Sequence, residues 1–127
     1  MLGSYSRRPM YKRSFQESRS FAERRMQFQR VQHSNPDRIP VIIERYVGET
    51  TLPDIDECRF LVHPDSTITQ LTYLLRRRMQ LTESQTLTLF VNDALVPANT
   101  TLQRLQSDFA NEDGFIYFTY ASQSAFG

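Results

Sequence analysis

The order of its helix and strand signals constrains the fold of this chain most strongly. Two capping boxes, Ser20-Phe21-Ala22-Glu23 and Thr67-Ile68-Thr69-Gln70, predict where two helices begin. In each box a hydroxyl and the side chain three residues later satisfy each other's backbone N–H groups. We expect the first helix to end near Asn35-Pro36, because the residue before proline resists helical backbone. The predicted apolar faces are Phe21, Phe28 and Val31 on the first helix and Ile68, Leu71, Leu74, Leu75 and Met79 on the second.

Four runs rich in β-branched and aromatic residues predict strands, over residues 39–46, 59–62, 86–91 and 115–121. Pro40 lies near the start of the first run, where a missing N–H donor is tolerated. A short helical stretch, begun by Thr100-Thr101-Leu102-Gln103, separates the last two runs. After the first helix the order is strand, strand, helix, strand, short helix, strand. This order predicts an α+β fold, a ubiquitin-like β-grasp whose four-stranded mixed sheet wraps one helix, with an added N-terminal helical segment.

The charge is distributed unevenly along the 127 residues, although the formal net charge is only +1. Residues 1–38 carry nine Arg or Lys against three Asp or Glu, whereas residues 39–127 carry six against eleven. We expect residues 1–14 to form a basic mobile arm and residues 15–38 the N-terminal helical segment. Residues 39–127 should form the β-grasp core, which makes one domain with residues 15–38. A basic head of this kind steers proteins toward anionic lipid, acidic peptides, tubulin tails or nucleic acid, and a solvated basic face without any partner is the alternative.

The composition points to the cytoplasm. No apolar run is long enough to cross a bilayer, and the N-terminus lacks the apolar segment of a secretory signal. The single cysteine, Cys58, has no internal disulfide partner, which agrees with a reducing compartment. Because its neighbours read as a strand, we interpret Cys58 as an inert, half-buried thiol.

The residues give no sign of catalysis. The only histidines, His33 and His63, do not stand at metal-ligand spacing with a cysteine or carboxylate. No phosphate-binding glycine loop or nucleophile elbow is present. The acidic stretch Asp54-Ile55-Asp56-Glu57 lacks the spacing of a calcium loop, so we interpret it as a solvated turn. We therefore expect neither an enzyme nor a bound metal or cofactor.

The sequence ends at Gly127. A terminal glycine carboxylate, with no Cβ beside it, suits entry into a narrow active-site channel and activation as an acyl group. Any chain must end somewhere, so this feature alone does not distinguish a conjugation substrate from a chain that merely stops at glycine.

Several long stretches resemble one known family. They are residues 35–46 (Asn-Pro-Asp-Arg-Ile-Pro-Val-Ile-Ile-Glu-Arg-Tyr), Phe60-Leu61-Val62, Leu75-Arg76-Arg77-Arg78, Phe90-Val91-Asn92 and residues 113–117. In this order they closely resemble the autophagy ubiquitin-like modifiers, which include microtubule-associated protein light chain three and the GABA-A-receptor-associated protein. The resemblance runs from about Phe15 to Gly127, and the Tyr120-Ala121-Ser122-Gln123 ending favours the light-chain-three branch.

The resemblance implies a modifier that is joined through Gly127 to the amine of phosphatidylethanolamine on autophagosomal membranes. Its implied partners are an activating enzyme, a conjugating enzyme and a cysteine protease that exposes the glycine and removes the lipid. We expect a monomer that resides in the cytoplasm and, when lipidated, on the autophagosome membrane.

A second implied function is a groove for the aromatic-x-x-aliphatic motifs, usually preceded by acidic residues, of cargo receptors and adaptors. If residues 59–62 form an edge strand, an extended peptide can add to it as a further strand. Side chains alternate along a strand, so Arg59 and Leu61 should face one way and Phe60 and Val62 the other. By resemblance, an aromatic pocket maps onto Val31, Pro40, Ile42, Leu61 and Phe115, with the Arg59 stem over its mouth. The aliphatic pocket maps onto Phe60, Val62, Leu71, Leu74 and Arg78.

Two positions depart from the family pattern. Gln27 occupies a usually acidic position on the first helix, which removes a carboxylate from the rim of the aromatic pocket. His63 replaces the proline that normally follows Phe-Leu-Val, which should reshape the edge of the second pocket. The alternative function is a non-conjugated ubiquitin-like module that binds peptides or microtubules. Tubulin stays open as a partner of the basic arm, whereas nucleic acid is disfavoured because only Tyr5 and Tyr11 are interleaved with its basic residues.

Overall fold

The computed structural model of the chain describes residues 13–126. The predicted order of strands and helices is confirmed; the second strand has the predicted bounds, and the other three are one or two residues shorter than predicted at one end. The elements are α1 Phe15–Ser18, α2 Phe21–Ser34, β1 Ile39–Arg45, β2 Arg59–Val62, α3 Ile68–Met79, β3 Thr88–Val91, α4 Leu102–Phe109 and β4 Ile116–Ala121, followed by a 3-10 turn over Gln123–Phe126.

Hydroxyl caps begin all four of these α-helices. Both predicted capping boxes are present, at Ser20 for α2 and at Thr67 for α3, and Thr101 caps α4. The sequence interpretation missed α1, which begins with a third capping box between Ser14 and Glu17. The predicted mobile arm covers residues 1–14, of which 1–12 lie outside the described residues. Ser14 is the N-cap of a helix, so the ordered segment begins before Phe15.

The four strands form one mixed sheet in the order β2-β1-β4-β3. The central strands β1 and β4 run parallel, while β2 pairs antiparallel with β1, and β3 pairs antiparallel with β4. The sheet matches the predicted β-grasp pattern, with β2 at one edge as expected.

Each face of the sheet has its own apolar cluster. The larger cluster joins alternate residues of β1 and β4 to α3 and α4, through Ile39, Val41, Ile43, Leu71, Leu75, Leu102, Leu105, Ile116, Phe118 and Tyr120 among others. On the opposite face Phe15, Ile42 and Phe115 are buried together, with Phe28, Cys58 and Tyr117 packed against them. The N-terminal helical segment therefore covers the face of the sheet that α3 and α4 leave open.

The structure corrects two of the predicted helix faces. α2 has no fully buried residue: Phe28 and Val31 are half-buried, but Phe21 is 47% exposed. Phe21 is seven residues before Phe28 and lies on the same side of the helix, but it does not join the buried cluster against which Phe28 packs. On α3, Leu74 is 51% exposed and lies outside the face formed by Ile68, Leu71 and Leu75.

Candidate functional site

The candidate groove follows the outer edge of β2. Among the described residues β2 pairs only with β1, with Pro40 opposite Leu61 and Val41 opposite Phe60. Arg59 and Leu61 are exposed, whereas Phe60 and Val62 are half-buried against the larger cluster. The predicted alternation along this strand is therefore confirmed. An edge strand of this kind presents backbone N–H and C=O groups to which an extended segment can hydrogen-bond.

A cavity of about 270 Å³ lies beside this edge, on the face of the sheet covered by the N-terminal segment. Five of the six residues predicted for the aromatic pocket and its mouth line it, together with Gln27 of the rim. The full lining is Gln27, Val31, Pro40, Val41, Glu57, Arg59, Phe60, Leu61 and Phe115. The sixth, Ile42, is fully buried beneath the cavity, so it supports Phe115 and has no surface to offer a ligand.

The floor and the rim of this cavity differ in exposure. Phe115 is only 2% exposed, whereas Leu61 at the edge is 44% exposed. Phe28 and Phe15 both meet the Phe115 ring edge-on, with ring centroids 5.3 and 5.4 Å away. Edge-to-face packing of this kind stabilises a fixed ring position. The cavity floor is therefore held in place from below by aromatic contacts.

Asp113 connects α2, which forms one wall of the cavity, to Phe115, which forms its floor. Its fully buried carboxylate accepts hydrogen bonds from the Phe115 N–H at 2.9 Å and from the Tyr117 hydroxyl at 2.6 Å. The same carboxylate is paired with Arg24 of α2, whose side chain is 12% exposed. Burial and the hydrogen bond to Asp113 raise the pKa of Tyr117, which keeps its hydroxyl protonated as a donor. Gln27 and Val31 project from the same helix into the cavity wall.

Gly114 allows the close approach of that helix. Its φ is +104°, a conformation that side-chain-bearing residues rarely adopt, and an added Cβ would collide with the Phe28 ring. The contact between Phe28 and the Gly114 backbone sets how deeply α2 sits beside the cavity.

Glu57 is the charged residue of this cavity that the sequence interpretation missed, because it was read as part of a solvated turn. Its two carboxylate oxygens accept hydrogen bonds from Nε and Nη2 of Arg59 at 2.9 and 2.8 Å. This pairing with Arg59 lowers the pKa of Glu57 to about 2, so the carboxylate is charged at neutral pH. The sequence feature that could have indicated this pair is the Glu-x-Arg spacing at the start of an edge strand. Glu57 also supplies the cavity with a carboxylate that Gln27 does not.

The predicted aliphatic pocket is only partly open. Leu71 is 2% exposed and belongs to the core, so it does not line a surface pocket. The guanidinium of Arg78 lies over the Phe60 ring, 5.1 Å from its centroid. A neighbouring cavity of about 360 Å³ includes two predicted residues, Leu74 and Arg78, with three that were not predicted. These are Gln70, Tyr73 and Arg77.

His63 begins the turn between β2 and α3. Its Nδ1 accepts a hydrogen bond from the Asp65 N–H at 3.2 Å, and its carbonyl accepts one from the Ser66 N–H at 3.0 Å. The side chain is exposed, in agreement with its interpretation as a surface histidine.

Hydrogen bonds hold the residues with which the C-terminal tail leaves the end of β4. Glu49, only 3% exposed, accepts hydrogen bonds from the N–H and the hydroxyl of Ser122 at 2.6 and 2.7 Å. Its other oxygen accepts from the N–H groups of Thr51 and Leu52 and from the Thr51 hydroxyl. Beyond Ser122, the Gln123 N–H donates to the Thr86 hydroxyl at 2.8 Å. The predicted conjugation residue, Gly127, lies outside the described residues.

Metal-binding clusters and membrane-spanning helices are absent from the described part of the chain. Within residues 13–126 there is no group of three or more His, Cys, Asp or Glu placed to hold a metal ion. None of the helices described there has the length and apolar character to cross a membrane. Cys58 is half-buried as predicted, and burial together with Glu44 and Glu57 raises the pKa of its thiol.

Comparison with known proteins gives consistent matches. The family model described as "Autophagy protein Atg8 ubiquitin like" matches residues 23–127. Protein lgg-2 of Caenorhabditis elegans is 41% identical over 115 residues, which cover 90% of this chain and 88% of that protein. Human microtubule-associated protein 1 light chain 3 gamma is 40% identical over 116 residues, covering 91% of this chain and 79% of that protein.

A solved structure matches as well. The crystal structure of Trypanosoma brucei ATG8 superposes with a TM-score of 0.82 at 31% identity, covering 92% of this chain and all of that one. This match confirms the predicted ubiquitin-like fold.

Proposed function

This chain belongs to the autophagy Atg8 family of ubiquitin-like proteins, and we propose on that premise that it is a modifier joined through Gly127 to phosphatidylethanolamine. On autophagosomal membranes it recruits cargo receptors and adaptors through the groove along β2. The observation that carries the proposal is the family match, which extends through residue 127 and includes the edge strand and the cavity beside it.

The groove has features that suit an aromatic-x-x-aliphatic peptide. The open edge of β2 offers main-chain hydrogen bonds, and alternate residues of the strand face opposite sides of the sheet. The aromatic anchor would enter the cavity between Val31, Leu61 and Phe115, and the aliphatic anchor would lie toward Val62 and Leu74. Burying a tryptophan removes roughly 150–250 Å² from water, worth about 4–6 kcal/mol before the costs of association. After those costs, micromolar affinity is expected.

Lipid conjugation would change where the protein resides. Each buried methylene of an acyl chain contributes about 0.8 kcal/mol, and stable anchoring generally needs two chains, which phosphatidylethanolamine supplies. The conjugated protein is then held on the membrane, while the unconjugated protein stays in the cytoplasm. In this scheme the chain is a substrate of the activating enzyme, the conjugating enzyme and the cysteine protease, and has no catalytic activity of its own.

Peptide binding is tested with two matched leucine variants. Leu61 is 44% exposed at the aromatic cavity, and Leu95 is 69% exposed in a loop away from the groove. Isothermal titration with a Trp-x-x-Leu peptide should show about tenfold weaker binding for Leu61→Ala and unchanged binding for Leu95→Ala. Equal binding by both variants would place the peptide elsewhere.

Conjugation is tested by intact mass. The native chain and Gly127→Ala are incubated with ATP, the family's activating and conjugating enzymes and phosphatidylethanolamine liposomes. We expect a lipid adduct on the native chain alone. The absence of an adduct, while another family member is lipidated in the same reaction, would contradict the conjugation part of the proposal and leave a peptide-binding module.

A further inference from the structure

We propose that Glu57 sets the charge preference of the groove, so that peptides with a basic residue before the aromatic anchor bind more tightly than peptides with an acidic one. This inference rests on the proposed peptide-binding function and concerns which peptides that function selects. It differs from what family resemblance implies, since the resemblance implies acidic residues before the anchor.

The charge of the cavity itself supports this preference. Among the residues that line it, only Glu57 and Arg59 carry a charge. Two parallel hydrogen bonds, from Nε and Nη2 of Arg59, hold the two side chains together. A bidentate pair of this geometry is stronger and more fixed than a single contact. The positive charge of Arg59 is therefore neutralised within the cavity rim and is poorly available to an acidic residue of a ligand.

The positions of the two anchors determine the direction in which the peptide runs along β2. The Arg78 guanidinium lies over the Phe60 ring and lines the neighbouring cavity on the aliphatic side, while the aromatic cavity extends from Phe60 toward Arg59 and Glu57, at and before the start of β2. In an aromatic-x-x-aliphatic motif, the residues before the aromatic anchor lie on the side away from the aliphatic anchor. A peptide that adds along β2 therefore directs these preceding residues toward Glu57.

One side chain of the peptide is placed to meet the Glu57–Arg59 pair. Residues two apart on a strand point to the same face, so the residue two before the aromatic anchor shares the face of the anchor. Glu57 keeps about 42% of its side chain exposed while paired with Arg59. A carboxylate oxygen has more than one acceptor site, so the Glu57 carboxylate can accept a further hydrogen bond from a lysine or arginine of the peptide. An acidic residue there would face the same carboxylate and be repelled.

The expected effect is modest because the pair is exposed to solvent. Surface charge pairs change an affinity by up to about fivefold. Replacing an attractive residue by a repulsive one combines two such contributions, so a lysine peptide should bind roughly five to ten times more tightly than a glutamate peptide. The difference should shrink at high salt, where surface charges are screened.

The test uses three peptides that differ only in the residue two before the tryptophan of a Trp-x-x-Leu motif: Lys, Gln or Glu. Each is titrated into the native chain, Glu57→Gln and Glu57→Lys at low salt and at high salt. The native chain should rank the peptides Lys, Gln, Glu in decreasing affinity. Glu57→Gln should remove the preference for lysine, and Glu57→Lys should reverse the order.

Asp56→Lys is the matched control. Asp56 is an exposed carboxylate next to Glu57 that does not line the cavity. This variant changes the net charge as Glu57→Lys does, so it should keep the native order of peptides. A reversed order in Asp56→Lys would mean that the overall charge, and not the position of Glu57, decides the preference.

The outcomes separate this inference from the function beneath it. If all three peptides bind the native chain with equal affinity, or if the Glu peptide binds most tightly, the role of Glu57 is refuted while the groove stands. If none of them binds the native chain, both the groove and the role of Glu57 are refuted. Circular dichroism of each variant checks that the fold is intact, as expected for changes at exposed positions.

Discussion

Replacing Glu49 by glutamine should make the stability of this protein much less dependent on pH below 5. Burial alone would raise the pKa of Glu49, but hydrogen bonds from Ser122, Leu52 and Thr51 outweigh it and lower the pKa to about 2. The carboxylate accepts five hydrogen bonds from these three residues: three from their backbone N–H groups and two from the hydroxyls of Thr51 and Ser122. Glutamine keeps one oxygen acceptor, but its amide nitrogen would face N–H or O–H donors and leave them unsatisfied.

The stability that Glu49 contributes follows from the difference between its pKa in the folded and in the unfolded protein. A pKa lowered from 4.5 to about 2 corresponds to about 3 kcal/mol of stability, since a pKa difference of one equals about 1.4 kcal/mol. Because the folded pKa is the lower one, this stability is fully present above pH 4.5 and is lost as the pH falls toward 2. Glu49→Gln lacks the titrating group, so its free energy of unfolding should not show this loss.

The assay is urea unfolding followed by circular dichroism, at intervals from pH 7 to pH 2.5. We expect the native chain to be about 3 kcal/mol more stable than Glu49→Gln at pH 7, with the gap narrowing between pH 4.5 and 2.5. Glu83→Gln, a change at an exposed glutamate in the turn after α3, is the control and should keep the native pH profile. A gap between native chain and Glu49→Gln that stays constant over this range would refute the reasoning.

Three further predictions concern the packing that shapes the groove and the tail. Gly114→Ala should destabilise the fold by more than about 1 kcal/mol, because φ is +104° and the added Cβ would collide with the Phe28 ring. Amide hydrogen exchange in α2 should become faster, and an unchanged rate there would contradict the contact. Arg24→Met should lower the free energy of unfolding, measured in urea, by roughly 3 kcal/mol, because it leaves the buried Asp113 carboxylate without its charged partner. A decrease of less than about 0.5 kcal/mol would show that the hydrogen bonds from Tyr117 and Phe115 are enough for this carboxylate. Tyr120→Phe should lower the free energy of unfolding by about 1 kcal/mol, since the Tyr120 hydroxyl donates a hydrogen bond to the Pro53 carbonyl at 2.6 Å. A thermal midpoint equal to that of the native chain would contradict this hydrogen bond.

Local signals in the sequence predicted most of the fold. The capping boxes at Ser20 and Thr67 placed α2 and α3 correctly, because a cap depends on residues only three positions apart. The short helix α1 was missed although its cap has the same form, since four residues carry no readable period. The exposure of Phe21 was not predictable for a related reason: the period of a helix says which residues share a face, but not how much of that face is buried.

Contacts between distant parts of the chain were not predictable in this way. Glu49 and Ser122 are 73 positions apart and only the folded sheet brings them together. The pairing of Glu57 with Arg59 is local, yet its importance appears only because the pair lines the same cavity as Phe115. Ile42 was assigned to that cavity by resemblance, and the structure places it fully buried beneath the floor.

The central claim is that this chain connects a partner peptide to a membrane through two separate sites. It is tested most directly by liposome flotation with a fluorescent Trp-x-x-Leu peptide, after the conjugation reaction has been run with the native chain, Gly127→Ala, Leu61→Ala or Leu95→Ala. We predict that the peptide floats with the liposomes for the native chain and Leu95→Ala, floats much less for Leu61→Ala, and stays in solution for Gly127→Ala. Flotation of the peptide with Gly127→Ala or with Leu61→Ala at the native level would contradict the account.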